Sequence, residues 1–344
     1  SNRLLHDGEE AFSKERRQEW RLLIEGWSDR RPDPDTSGVR LGWQAKREAW
    51  STQLVREYVA QFRPKIEIDA LGWWRLRHPL LWTTGNYSER IVSATVKYPH
   101  PHAELDVPDE LIGYAIRLFR SNLELAEKLE FETRQHDHLY ITTTYDACGV
   151  KGRCSDAYGL AGPIAYLQKM TKQFGHVDPD GAKVEIRYWE CQNGRIFARL
   201  QLWGASSDLT TGAEAARILM KLPDDIFWYP QDRPDVLHAI VSSWPKLDKL
   251  QRHEIEQRLL TTSFPWSDDM TDTQGHSAYR RLEYLHALSA AGIKFSFDLA
   301  ATTKELCKLA PDWQHDATED AMASNAPKVQ RVIEDTDYGP LLNI

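Results

Sequence analysis

Four cysteines in 344 residues, Cys148, Cys154, Cys191 and Cys307, are too few and too scattered for a disulfide framework, so a reducing cytoplasm is the expected location. No stretch approaches the ~18–20 continuous apolar residues of a membrane helix, and no membrane partner is expected. Basic charge is scarce as well: 43 Lys and Arg stand against 51 Asp and Glu, a net charge of −8. A protein that binds by neutralising phosphates needs a basic excess or a concentrated stripe. The densest basic runs, Lys14 to Arg17 with Arg21, and Arg75 with Arg77, are short, which disfavours nucleic acid as the main partner. Also missing are a phosphate loop, a Gly-x-Ser-x-Gly elbow and a defensible acid–base pair of carboxylates. No catalytic, cofactor-binding or metal-binding residue is assigned, no cofactor is expected, and the chain by itself is expected not to be an enzyme.

What is present is helix-forming apolar sequence. The hydrophobic fraction of 41% and 13 tryptophans argue for a core, and a mean hydropathy of −0.56 for a polar surface. From Thr211 to Trp266 the chain reads as three amphipathic helices in a row. Thr211 and Glu214 have the spacing of a capping box, opening a helix with Ala215, Ile218, Leu219 and Leu222 inward that stops at Pro223. A second opens at Asp232 with Pro234 in its first turn, presents Val236, Leu237, Ile240, Val241 and Trp244, and ends at Pro245. A third offers Leu250, Ile255, Leu259 and Leu260 before Pro265.

The same periodicity gives a helix over Trp20, Leu23, Ile24 and Trp27. It gives a long one carrying Trp50, Leu54, Val55, Tyr58, Val59 and Phe62, and one after Pro108 with Leu111, Ala115, Leu118, Asn122, Leu125 and Leu129 inward. Pro163 opens another, with Ile164, Leu167, Met170 and Phe174 inward and Gly175 as a left-handed stop. Tyr279, Leu282, Leu285, His286 and Ala290 mark one ending at Gly292. Ile91 to Val96 fits either a short strand or a helix start, and Leu139 to Tyr145 is the most strand-like run. Val184 to Trp203 is ambiguous: Asn193-Gly194 is a hairpin signal, whereas Ile196, Phe197, Leu200 and Trp203 keep helical spacing. Two helices are expected there, with Asn193 as N-cap.

Several clusters have both a chemical and a bland reading. His136, Asp137 and His138 with Cys148 and Cys154 contain zinc ligands, but the thiols are five residues apart where structural zinc pairs have shorter gaps; a polar turn and loop is the expectation. Pro101 fans His100 and His102 apart. Asp178-Pro179-Asp180-Gly181 starts like a calcium loop, but its twelfth position is Trp189 rather than a bidentate glutamate, so it reads as a turn. Trp73, Trp74, Arg75 and Arg77 form the candidate interaction surface, because aromatics alternating with arginines can stack and clamp an anionic partner. Trp228, Trp244 and Trp266 read as spacers between stacked helices.

The blocks from Gly159 onward carry a resemblance: GLAGP at Gly159 to Pro163, RIFARLQLW at Arg195 to Trp203, ARILMKLPDDIFW at Ala216 to Trp228, SSWP at Ser242 to Pro245, PW at Pro265 and Trp266, RRLEYLHALSAAG at Arg280 to Gly292, and GPLL at Gly339 to Leu342. In register and in order, this half of the chain resembles the helical C-terminal region of large bacterial multidomain proteins with an N-terminal sirtuin-like domain, many associated with phage defence. The resemblance implies a non-catalytic array that positions or senses for an enzyme domain elsewhere in a parent protein.

The expected fold is mostly α, built from antiparallel helix pairs: a solenoid-like array over residues 159–344 and a less regular helical region over 3–158. Ser1 and Asn2, with no initiator methionine, read as a cloning scar on a piece of a longer protein. Expected partners are other domains of that parent and a protein ligand, and self-association is compatible with such an array. Two alternatives stand beside this reading: a nucleic-acid-binding helical region, and a cryptic metal-dependent hydrolase around His136 and His138.

Overall fold

The computed structural model describes residues 41–47, 49–70, 92–99, 106–133, 159–192, 194–261, 264 and 272–314. Helix dominates them, and the sheet among them has two strands, so the fold is mostly α as expected. The chain divides into two compact units, 1–125 and 126–344. That division falls ahead of the 158/159 boundary read from the sequence.

In the first unit, residues 41–47 are helical and the left-handed Ala49 (φ 59°) breaks the chain before the next helix. Helix α1 (Thr52–Ala60) starts at Ser51, whose hydroxyl accepts from the Leu54 amide at 3.2 Å. The single long helix expected here is therefore interrupted, and Trp50 stands ahead of α1 rather than in it. Its inward face is nevertheless the expected one: Leu54, Val55, Tyr58, Val59 and Phe62 are all buried.

Strand β1 (Lys65–Ala70) pairs antiparallel with β2 (Val92–Lys97), from Lys65 opposite Lys97 to Ala70 opposite Val92. Of the run Ile91 to Val96, the described residues 92–96 resolve as strand, in keeping with the β-branched Val92, Thr95 and Val96. Helix α2 (Asp109–Thr133) opens with two acids in its first turn, where they suit the helix dipole. Its buried line is Ile112, Ala115, Ile116, Phe119, Leu123 and Ala126. Of the face read from the sequence only Ala115 belongs to it. Phe119 turns the helix, packing on Phe62 with ring centroids 4.9 Å apart. Asn122 lies at the margin and donates to the Val59 carbonyl at 3.0 Å.

The second unit is a succession of helices: α3 (Ala161–Val177), α4 (Pro179–Trp189), α5 (Arg195–Ser206), α6 (Gly212–Lys221), the four-residue α7 (Asp224–Phe227), α8 (Arg233–Ser243), α9 (Lys249–Thr261), α10 (Thr273–Ala290) and α11 (Leu299–Leu309). Leaving α7 aside, packing proceeds in steps: α3 on α4, α4 on α5, α5 on α6 and α8, α6 on α8 and α9, α8 and α9 on α10, and α10 on α11. These contacts join helices one or two places apart. The innermost is α5, with ten of its twelve residues buried.

Local signals explain most of the boundaries. The capping box is formed: Thr211 Oγ1 accepts from the Glu214 amide at 3.3 Å while Glu214 accepts from the Thr211 amide at 3.0 Å. Asp248 and Gln251 make the same exchange at α9, at 2.9 and 3.0 Å. Asp272 and Asp298 cap α10 and α11. Gly292 (φ 90°) follows the end of α10 as the expected stop.

Four local expectations need correction. Gly175 is no left-handed stop, since α3 runs through it to Val177; a Cβ there would lie 2.1 Å from Leu209 Cδ2, so the glycine admits a neighbour. Asp178 to Gly181 is no free turn: Asp178 caps α4, accepting from the Gly181 amide at 2.9 Å with Pro179 at the first position. The N-cap of α5 is Gly194 rather than Asn193. It has no side chain to offer, and the carboxylate of Glu127, in the last part of α2, which belongs to this second unit, accepts from the Ile196 amide at 3.1 Å instead. Leu250 is 67% exposed, because α9 turns Glu256 and Arg258 inward with Ile255 and Leu259.

Candidate functional site

Two places in the second unit bring functional side chains together: a polar hub around residues 222–235, and an open groove beside α11. The hub exists because the connection from α6 to α8 folds back through the core. Short α7 follows Pro223, and its residues Ile226 and Phe227 are buried together with Trp228. A buried connection leaves backbone carbonyls needing donors, and the neighbouring helices supply them. Arg258 of α9 donates to the carbonyls of Leu219 and Leu222 and to Asp224 Oδ1 (2.6 Å). The Tyr284 hydroxyl of α10 donates to the Phe227 carbonyl, and Arg199 of α5 to that of Gln231 at 3.1 Å.

Charge is settled inside the same hub. Asp232 precedes α8 where an aspartate usually caps its own helix, yet it makes no side-chain cap bond. Its Oδ2 accepts from Arg195 Nη1 at 2.7 Å, and its Oδ1 from Arg199 Nε and Nη2 at 2.9 and 2.8 Å. Arg199 also lies 3.6 Å from Asp235. Arg199 and Asp232 are 1% and 0% exposed, so they form a desolvated, multiply bonded pair rather than a surface bridge. Further along, Glu283 of α10 bridges Arg233 and Arg280. Mutually tilted rings close the hub: Trp228 lies 4.8 Å from Tyr284 and 4.3 Å from Phe264, centroid to centroid.

This geometry does not suit proton transfer. A general base needs a lone pair facing substrate, whereas the Asp232 oxygens receive guanidinium donors. Burial pushes the Tyr284 phenol well above its ordinary range. Burial also lowers the Arg258 guanidinium, with Asp224 opposing that shift. The hub is a joint between α5, α8, α9 and α10.

The groove is reachable from solvent. It has a volume of about 430 Å³ and is lined by Leu260 at the end of α9, Arg281 of α10, and Ala301, Thr302, Lys304, Glu305 and Leu306 of α11. Arg281 sits over the Phe264 ring at 5.2 Å, and burial lowers its pKa. Both Glu305 oxygens meet Lys308 Nζ, at 2.7 and 2.6 Å.

The residues singled out from the sequence fall elsewhere. Trp73, Trp74, Arg75 and Arg77 lie between β1 and β2 in the chain, outside the described residues, as do His100, His102, His136, His138, Cys148, Cys154 and Trp266. Among the described residues no group of three or more His, Cys, Asp or Glu is placed to hold a metal, and no helix is long and apolar enough to cross a membrane. Trp228 and Trp244 are buried between helices, at 2% and 8% exposure.

The hub was not anticipated. Its one signal in the sequence is Arg195 and Arg199, four residues apart in the RIFARLQLW run, whose other residues apart from Gln201 are apolar, so that two charges on one face require partners. No protein-family model, curated protein or solved structure matches the chain.

Proposed function

We propose that this chain is a non-catalytic structural, interaction or sensing module of a larger bacterial multidomain protein, serving an enzyme domain in antiviral defence in the cytoplasm. The observation that carries this reading is the use made of Asp232. A residue placed to cap its own helix instead fastens two arginines of the preceding core helix, so polar chemistry goes into joining helices. The stepwise packing from α3 to α11 supports the same reading, because linear helix arrays present extended surfaces to partners. So does the position of the blocks that carry the resemblance. Arg195 and Arg199, Asp224 to Trp228, and Arg280 to Tyr284 lie in those blocks and contribute to the hub, while Asp232, Asp235 and Arg258 join it from outside them.

The test is deletion of residues 159–314 from the parent protein, followed by plaque counts on bacteria challenged with phage. The reading expects protection to be lost while the purified sirtuin-like domain keeps its basal activity. Protection that survives the deletion, or turnover catalysed by the isolated chain, contradicts it.

A further inference from the structure

We propose that Tyr114, with Arg56 and Arg117 beside it, is a binding site for single-stranded nucleic acid. The site lies in the first unit and does not depend on the function proposed above. Buried rings hold its two helices together: Phe119 of α2 has its centroid 6.5 Å from that of Tyr58 and 4.9 Å from that of Phe62. Outside that core α2 carries Tyr114 and Arg117, three residues apart and so neighbours on the helix surface, and α1 brings Arg56. Both guanidinium carbons lie 6.0 Å from the centre of the Tyr114 ring. The two arginines are exposed and the tyrosine is half-buried.

Among the described residues neither arginine has a carboxylate partner, although acids stand near both in the chain. Glu57 accepts from Gln53 Nε2 at 3.3 Å, Glu124 meets Arg120 at 3.6 Å, and Glu110, a turn before Tyr114, pairs with neither arginine. Two cations held beside one ring repel each other, and an anion drawn to them relieves that repulsion. The net charge of −8 does not set this local field, because exposed charges more than about 8–10 Å away are screened at physiological salt.

The ring selects among anions. Arg258 and Arg195 close to 4.1 and 4.3 Å on the rings of Phe227 and Tyr229, whereas Arg56 and Arg117 stand off from Tyr114. Atoms in contact are about 3.5–4.0 Å apart, so neither guanidinium covers the ring centre and a base can stack there. Aromatic stacking beside cations that track the backbone is what holds single strands without reading their sequence. Within a strand each base lies between two phosphates, which matches one ring with two arginines. An acidic peptide brings charge but no planar face, and a duplex keeps its base faces stacked on one another.

The experiment measures binding of the full chain to a fluorescent oligodeoxythymidine of about ten nucleotides, by anisotropy at low salt. The comparison probes are an abasic strand of the same length, the duplex with its adenine complement, and poly-glutamate of equal charge. The single strand should bind, and each comparison probe should bind about five-fold more weakly or worse. Affinity for the strand should fall with salt at a log–log slope of about −1.4, as two phosphate contacts give, and at about −0.7 in Arg56→Gln and in Arg117→Gln. Tyr114→Leu should weaken binding about ten-fold, and Tyr114→Phe should bind as the parent does. The arginine variants change exposed positions that leave the fold intact, so they decide the matter even if Tyr114→Leu unfolds. Lys304→Gln, at an exposed cation of α11, should change nothing. No binding of the single strand, equal binding of the abasic strand or of poly-glutamate, or a salt slope unchanged in both arginine variants would overturn the proposal.

Discussion

Helices α5 and α11 are almost equal in length, with twelve and eleven residues, and both carry apolar residues at helical spacing. Yet α5 buries ten residues and α11 buries none. Their neighbours make the difference: α5 is packed by α4, α6 and α8, whereas α11 packs on α10. A one-sided amphipathic pattern therefore sets which face turns inward, and position in the succession sets how much is covered. The polar residues follow the same division. Arg199 in α5 lies in a desolvated network, while Lys308 and Glu305 in α11 form a pair that is 60% and 68% exposed.

The sharpest way to break this comparison is to remove one partner from the interior joint. Arg199→Leu leaves Asp232 and Asp235 buried with fewer donors, and losing one member of a buried ion pair costs about 3–5 kcal/mol. A urea titration should show a loss of that size. Trp244→Ala should cost a comparable ~3–5 kcal/mol, as truncation of a buried tryptophan does, with the midpoint of thermal unfolding as the measure.

Smaller effects belong to single hydrogen bonds. Tyr284→Phe removes the donor to the Phe227 carbonyl inside the hub and should cost about 1–3 kcal/mol in the same titration. Opening the capping box with Thr211→Ala should cost about 0.5–2 kcal/mol. Lys308→Ala, at the exposed α11 pair, should change stability by less than about 1 kcal/mol; a loss as large as that of Arg199→Leu would erase the distinction between the two helices.

Acid titration adds a check on the capping box. Burial alone would raise the Glu214 pKa. Hydrogen bonds from the Thr211 amide and hydroxyl and from Arg187, with the Arg187 charge, outweigh it and hold the value below its ordinary 4.5. A depressed carboxylate contributes stability that is fully present above the unfolded value and is lost as pH falls through the folded one. Glu214→Gln should therefore be less stable than the parent at neutral pH, and the gap should narrow below pH 4.5.

The helices of the second unit were largely legible because their signals are local. Thr211 with Glu214, Pro234 after Asp232, and Gly292 act within a turn of where they stand, and the structure uses each of them. Which residue faces inward was less legible when a partner decides it. On α2 the Phe62 ring draws in Phe119 and rotates the face. On α9, Glu256 is buried where it accepts from the Ser296 amide at 2.8 Å, forty residues away.

The hub was hidden for the same reason, since Arg199 and Asp232 are 33 residues apart and only the fold brings them together. The hairpin signal at Asn193-Gly194 and the strand-like alternation of Val184, Ile186 and Tyr188 yield to the helical spacing of Ile196 to Trp203 and to the helical neighbours downstream, and the structure has helices α4 and α5 there. The candidate cluster Trp73 to Arg77 lies outside the described residues.

Native-state hydrogen exchange followed by mass spectrometry tests the central claim most directly. Amides in α5 and α8, fastened through Arg199, Asp232 and Asp235, should exchange only through global unfolding and share its free energy. Amides in α11 should exchange through a smaller local opening, and Arg199→Leu should bring α5 and α8 toward that level. Exchange of α11 as slow as that of α5, or an α5 unaffected by Arg199→Leu, would contradict the account.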